Sequence, residues 1–343
     1  MQQLVSTGRA RALLTLAVFV AALVAATTAI DAAAPVDPVG SPANAVYHKL
    51  DFALAHLGEY DVVYVGSSRT RRAFDPALFD ARLARHGIRV RSFNLGIPGM
   101  RAFAQADLVR RLLRADTGRL KLVILAPEAL ETDLTPQRAR ADRQVLWHDA
   151  RRTVVALRAV AHSPGSLRQR TTWIRGHVES FLLNVTGAGR LSSRFNFRVD
   201  VDPAVVLGPH GDGFSPLPEA PSGQAELTQR VADVVLAEKE PPPPPTGPER
   251  AYIARVTRLL SARGIGVPFV REPILFTART RFLRRLHDED PAAPVVDLGN
   301  PFAHPELFRP RLFHDAGHLD ELGATVFTGD LAGAVLPFLS GAR

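Results

Sequence analysis

The chain contains no cysteine. That excludes disulfides, thiol nucleophiles and cysteine-ligated metal sites together. Lysine is nearly as scarce, at Lys49, Lys121 and Lys239 only, so the net charge of +8 is carried by arginine. No glycine-rich loop has the lysine that a phosphate cradle requires. Helix-turn-helix and zinc-finger spacings are missing too, and arginines such as Arg71, Arg72, Arg110, Arg111, Arg284 and Arg285 are scattered without interleaved aromatics. Nucleic acid is therefore not expected as a partner. An arginine-rich polyanion binder, the third functional class considered, predicts steep salt dependence and indifference to any single serine. His148-Asp149 and His210-Gly211-Asp212 lack a third ligand at a metal-like interval, so neither a metal nor another cofactor is expected. Glu128, Glu131 and Asp133 form an acidic cluster without the second partner that glycoside hydrolysis needs.

With 343 residues and an apolar fraction of 46%, the chain can bury a large core. Arg9 and Arg11 precede an apolar run over 13–30, broken only by Thr15, Thr27 and Thr28. Roughly 17–25 apolar residues cross a bilayer, and basic residues before such a run stay on the cytoplasmic side. Residues 1–31 are thus expected to be a signal peptide or an N-terminal membrane anchor. An Ala- and Pro-rich tether follows over 32–44. The expected location is the cell envelope, anchored with an extracytoplasmic domain, or secreted or periplasmic after cleavage.

From residue 45 to 343 the pattern alternates strand and helix. Apolar strands are predicted over 61–66, 90–95, 120–126, 265–270 and 295–298. Helices are predicted over 45–57, 75–86, 101–114, 137–161, 224–240, 249–263, 276–287 and 319–339. An irregular insertion at about 163–222 is expected to cover one end of the sheet. Such alternation implies an α/β fold, a doubly wound, mostly parallel sheet flanked by helices, with ligands at the carboxyl ends of the strands.

Three places carry chemistry. Gly66-Ser67-Ser68-Arg69 directly follows the first strand, where a hydroxyl is presented at the ligand edge; serine needs a base to become a nucleophile. Asn94-Leu95-Gly96-Ile97-Pro98-Gly99 ends the second strand, and its backbone N–H groups can point into that edge. His314-Asp315-Ala316-Gly317-His318 stands at the expected start of the last helix. There the three-residue spacing brings Asp315 and His318 together in one turn, so that Asp315 orients the imidazole. His314 lacks that spacing.

This order of blocks resembles the SGNH (GDSL-type) esterase and acyltransferase superfamily, over roughly 60–135 and 290–340. The resemblance implies an SGNH-like three-layer fold with Ser68 as nucleophile and Ser67 as runner-up. It implies Asp315 and His318 as the rest of a triad, and Gly99 with the Ser68 amide as oxyanion donors, Gly96 being the alternative to Gly99. The third block departs from the pattern. Its strand ends Ala126-Pro127-Glu128 where an asparagine donor is usual, and an ionised Glu128 repels an oxyanion. The Gly-Ser-Ser start is similar to the tethered branch of D-alanyl-lipoteichoic-acid transfer and alginate O-acetylation proteins. That branch implies an acylated glycan or envelope polymer as substrate and a membrane-bound O-acyltransferase as partner. Two functions follow as expectations: a serine esterase or O-acyltransferase, or a catalytically degenerate SGNH-like binding module.

Overall fold

The computed structural model describes residues 2–33, 42–116, 118–128, 134–140, 142–186, 203–219, 223–276 and 279–340. The chain forms two compact units, Met1–Asn44 with Leu134–Asp200, and Ala45–Asp133 with Val201–Arg343.

The second unit is a mixed α/β fold around a five-stranded sheet. Its strands are β1 (Val62–Gly66), β2 (Ser92–Gly96), β3 (Leu122–Leu125), β4 (Phe269–Arg271) and β5 (Val295–Asp297). They lie in the order β2-β1-β3-β4-β5, and every pairing is parallel. All residues of β1, β2 and β3 are buried, as expected for strands covered by helices on both faces. On one face Val62, Tyr64, Leu122, Ile124 and Val270 pack with Phe74, Phe79, Phe313, Phe327 and Leu331.

The helices that follow α1 (Gln2–Ala33) and α2 (Pro42–Ala55) are capped as their sequences dictate. Ser67 caps α3 (Ser68–Ala73), and Asp75, followed by a proline at the first helical position, caps α4 (Pro76–Arg85). Helix α5 (Ala102–Ala115) turns Leu108, Val109, Leu112 and Leu113 inward. The sheet order makes the gap between β1 and β3 the topological switch point, because the chain leaves β1 in opposite directions to reach β2 and then β3. Ligands of open α/β sheets bind outside the carboxyl ends there. Ser68 follows β1 and Glu128 follows β3.

The structure corrects the expected end of the chain. Asp315 and His318 do not open a helix. They sit on an antiparallel hairpin of β6 (Phe313–Asp315) and β7 (His318–Leu319), with Asp315 opposite His318. The closing helix begins later, at Glu321–Ala334, capped by Asp320 rather than Asp315.

The first unit contains the helix Gln2–Ala33. Among the described residues no helix is long and apolar enough to cross a membrane. This overturns the expected signal anchor, the membrane attachment through the N-terminal helix, and the membrane-anchored location built on them. The large apolar side chains of the run, Ile30 apart, fall within 13–24, short of the ~20 apolar residues a span requires. They are diluted by alanine and by Thr15, whose hydroxyl bonds back to the Arg11 carbonyl. The expected tether lies largely outside the described residues, at 34–41, as do Glu131 and Asp133.

The second segment of this unit, 134–200, starts earlier than the expected insertion and is helical through residue 185. The helices Pro136–Ala139, Asp142–Trp147 and Ala150–Ala161 pack on the longer helix Leu167–Val185. Gly176 lets Pro136 approach, because a Cβ there would lie 2.9 Å from the proline Cα. His148 and His177 are buried side by side, Nε2 to Nδ1 at 2.8 Å.

Candidate functional site

The parallel register places Gly66 beside Gly96 at the ends of β1 and β2. Helix α3 sits directly on this edge. Asn94, fully buried, fixes it there: its amide donates to the carbonyls of Thr70 (2.9 Å) and Phe74 (2.6 Å). Its other end, Oδ1, accepts from the Gly96 N–H at 2.8 Å.

At the first position of α3, the Ser68 hydroxyl lies 2.9 Å from His318 Nε2 and donates to it. The Nδ1–H of His318 lies 3.0 Å from both carboxylate oxygens of Asp315. Bonding on Nδ1 leaves Nε2 with the lone pair a base requires. The N–H of Gly317, in the hairpin turn, donates to Asp315 Oδ1 at 2.7 Å. Burial opposes the Asp315 carboxylate, but the hydrogen bonds from His318 and Gly317 outweigh it and hold its pKa below the usual value. Asp315 therefore stays ionised and keeps the imidazole tautomer fixed.

Of the other expected residues, Ser67 points away from this chain of contacts; its hydroxyl accepts from the Arg69 N–H and caps α3. Gly96 is not a free donor, since its N–H is committed to Asn94. Gly99, at φ +68°, shapes the turn after β2, which is closed by a Met100 N–H to Ile97 carbonyl bond of 2.9 Å. His314 donates from Nδ1 to the Pro218 carbonyl at 2.8 Å and holds the neighbouring loop. The segment 205–218 runs along this edge. Arg72 donates to the Ser215 carbonyl and hydroxyl, and the Glu321 N–H to the Leu217 carbonyl at 2.9 Å. The expected insertion thus borders the site with its last described part; residues 187–202 and 220–222 lie outside the described residues.

Glu128 forms an ion pair with Arg69. The Nε of Arg69 lies 3.6 Å from Glu272 Oε2, and Glu272 accepts hydrogen bonds from Thr70 (2.6 Å) and Tyr64 (3.0 Å). Burial pushes Glu272 upward. Burial also works against the Arg69 charge, but Glu128 and Glu272 outweigh it and raise its pKa above the ordinary value. Lys49 is buried as well, donating to the carbonyls of Gly96 (2.8 Å) and Gly213 (2.7 Å). Its pKa is held well down by burial and by Arg71 and Arg72. Sequence reading missed Arg69, Glu272, Tyr64, Thr70 and Lys49, whose partners are distant in sequence. Only the oddity of charged residues at strand ends could have marked them.

Two further features belong to this unit. An open depression of about 500 Å³ is lined by Glu219, Arg311, Asp320, Glu321, Leu322 and Thr325; it includes none of Ser68, His318 and Asp315. His304, Glu306 and Asp330 bring ligand atoms within 4.8 Å of one another and could hold a metal ion. His148-Asp149 and His210-Asp212 are not part of any such group among the described residues.

No known protein-family model matches this chain, and no curated protein matches it in a sequence comparison.

Proposed function

We propose that this protein is a serine esterase or O-acyltransferase with an SGNH-like fold, acting on small acyl esters of a glycan or other hydroxylated polymer. The observation that carries the reading is the unbroken run Ser68–His318–Asp315 at the β1/β3 switch point. In this scheme Ser68 Oγ attacks the ester carbonyl while His318 Nε2 takes its proton. Asp315 remains ionised and stabilises the imidazolium. The tetrahedral oxyanion is held by the N–H groups of Ser68 and Gly99. His318 then returns the proton to the leaving alcohol, giving an acyl-serine. Water or a polymer hydroxyl, activated by His318 in turn, takes the acyl group and regenerates Ser68. The same residues serve hydrolysis and transfer; which occurs depends on how well water is excluded.

The test is incubation of the full chain with p-nitrophenyl acetate and a fluorophosphonate probe, beside Ser68→Ala and His318→Ala. Labelling and acetate release that vanish in both variants support the reading. Equal, negligible signal in all three proteins overturns it in favour of the non-catalytic binding module.

A further inference from the structure

The residue next to the nucleophile is a largely buried arginine, its side chain 16% exposed, and its setting is unlike that of the other arginines of α3. Arg71 and Arg72 reach outward to the segment 205–218. Arg69 instead passes under the sheet edge and ends between two carboxylates, Glu128 after β3 and Glu272 after β4. Glu272 is in turn held from β1 by Tyr64 and from α3 by Thr70. One charged network thus ties the first turn of α3 to β1 and to the segments that follow β3 and β4. Nε of Arg69 is buried without a hydrogen bond, so the guanidinium is held by charge as well as by its single close bond to Glu128. An arrangement that takes three charged groups largely out of water is costly to build. It contributes no apolar packing, which a leucine there would supply. What it does supply is a polar anchor that fixes the first turn of α3, one residue along from Ser68, to the segments that follow β3 and β4.

We propose that Arg69 is a positioning residue for Ser68: gripped by Glu128 and Glu272, it holds the first turn of α3 so that the Ser68 hydroxyl keeps its 2.9 Å approach to His318 Nε2. The proposal rests on the reading of Ser68 as nucleophile. It gives Glu128 a purpose: its carboxylate is spent on holding Arg69 and does not face the reacting centre as a bare anion. Reaction geometry that slips by about 1 Å costs on the order of 10²-fold.

The experiment compares full-length wild type, Arg69→Met, Arg69→Lys, Glu128→Gln and the double variant Arg69→Met/Glu128→Gln. It reads the fluorophosphonate labelling rate, kcat and KM for p-nitrophenyl acetate, and thermal midpoint. Arg69→Met is expected to lower labelling and kcat about 10²-fold with KM little changed. Arg69→Lys keeps the charge but not the fork and recovers about tenfold of that loss. Because Glu128 acts through Arg69, the double variant should be no slower than Arg69→Met alone. Labelling of wild type and Arg69→Met at the same rate overturns the proposal while leaving Ser68 as nucleophile. Losses of the two single variants that multiply overturn it also, as they make Glu128 independent of Arg69. Absence of labelling in wild type removes the functional reading, and the role of Arg69 falls with it. Should Arg69→Met fail to fold, Arg69→Lys and Glu128→Gln carry the same comparison, since an unchanged kcat in both would overturn the proposal.

Discussion

Gly66 and Gly96 face each other as the last pair of the β1–β2 ladder, and helix α3 rests on both. A Cβ on Gly66 would overlap the Thr70 hydroxyl, and one on Gly96 would overlap the backbone N–H of Arg71, with Arg71 Cα 2.7 Å away. The helix that carries Ser68 can therefore come down on the sheet only because two side chains are missing.

Gly96→Ala should lower stability by roughly 2–4 kcal/mol, since backbone must move to admit the methyl group. Thermal unfolding measures this, and an unchanged midpoint would mean that α3 sits farther from the sheet. Gly66→Ala meets a side chain instead of backbone, but Thr70 is held by Glu272. It should therefore cost fluorophosphonate reactivity along with stability.

Asp315→Asn should leave the fold intact and reduce esterase turnover by about 10²–10⁴-fold. The amide would favour the wrong imidazole tautomer, because its NH₂ cannot accept the Nδ1 proton. Single-turnover acylation of Ser68 is the appropriate readout. A variant as fast as wild type would show that Asp315 does not orient His318.

The strands β1 to β3 were legible as apolar runs ending at glycine or proline, and their parallel arrangement from the alternation with helices, whereas the sheet order β2-β1-β3-β4-β5 was not. The helix Leu167–Val185 was not legible. Its buried residues are Gly176, His177 and Ser180, so no apolar period marks the face it packs. For Asp315 and His318 the spacing was legible and the geometry was not: a helical turn and a tight hairpin both bring residues three apart together. The Arg69 network was invisible because Glu272 lies 202 residues from Thr70, and no local pattern links them. The apolar run at the N-terminus looked like a membrane span in composition alone.

Asp80 supplies a pH test of the second unit. Burial raises its pKa to about 6, while Oδ2 accepts from the Ser92 N–H at 3.1 Å and Oδ1 is buried without a partner. A raised carboxyl pKa gives stability that is complete below about 3.9, the unfolded value, and is lost as pH rises through about 6. Asp80→Asn should then gain about 1–2 kcal/mol at pH 7.5, after allowance for partial exposure, and nothing below pH 4. Denaturant titrations at the two pH values decide it, and an equal effect at both would exclude ionisation as the cause.

The histidine pair of the first unit has the opposite sign. Burial, with the neighbouring His148, lowers the His177 pKa to about 4. A depressed histidine gives stability present above about 6.5 and lost as pH falls through about 4. Amides of the helix Leu167–Val185 should lose hydrogen-exchange protection over that interval, by the equivalent of about 2–3 kcal/mol. In His177→Gln the pH dependence should shrink to what His148, also lowered by burial, contributes. Protection that does not change with pH in wild type would mean the pair is already open to water.

Asp315 and His318 are neighbours on one hairpin, whereas Ser68 is 250 residues away from His318. During translation Ser68 is made long before the hairpin, which follows β5, the last strand of the sheet. A chain stopped between β5 and β6 would hold every strand of the parallel sheet and still lack both partners of Ser68. The order of synthesis therefore leaves Ser68 without its two partners until the whole parallel sheet has been made.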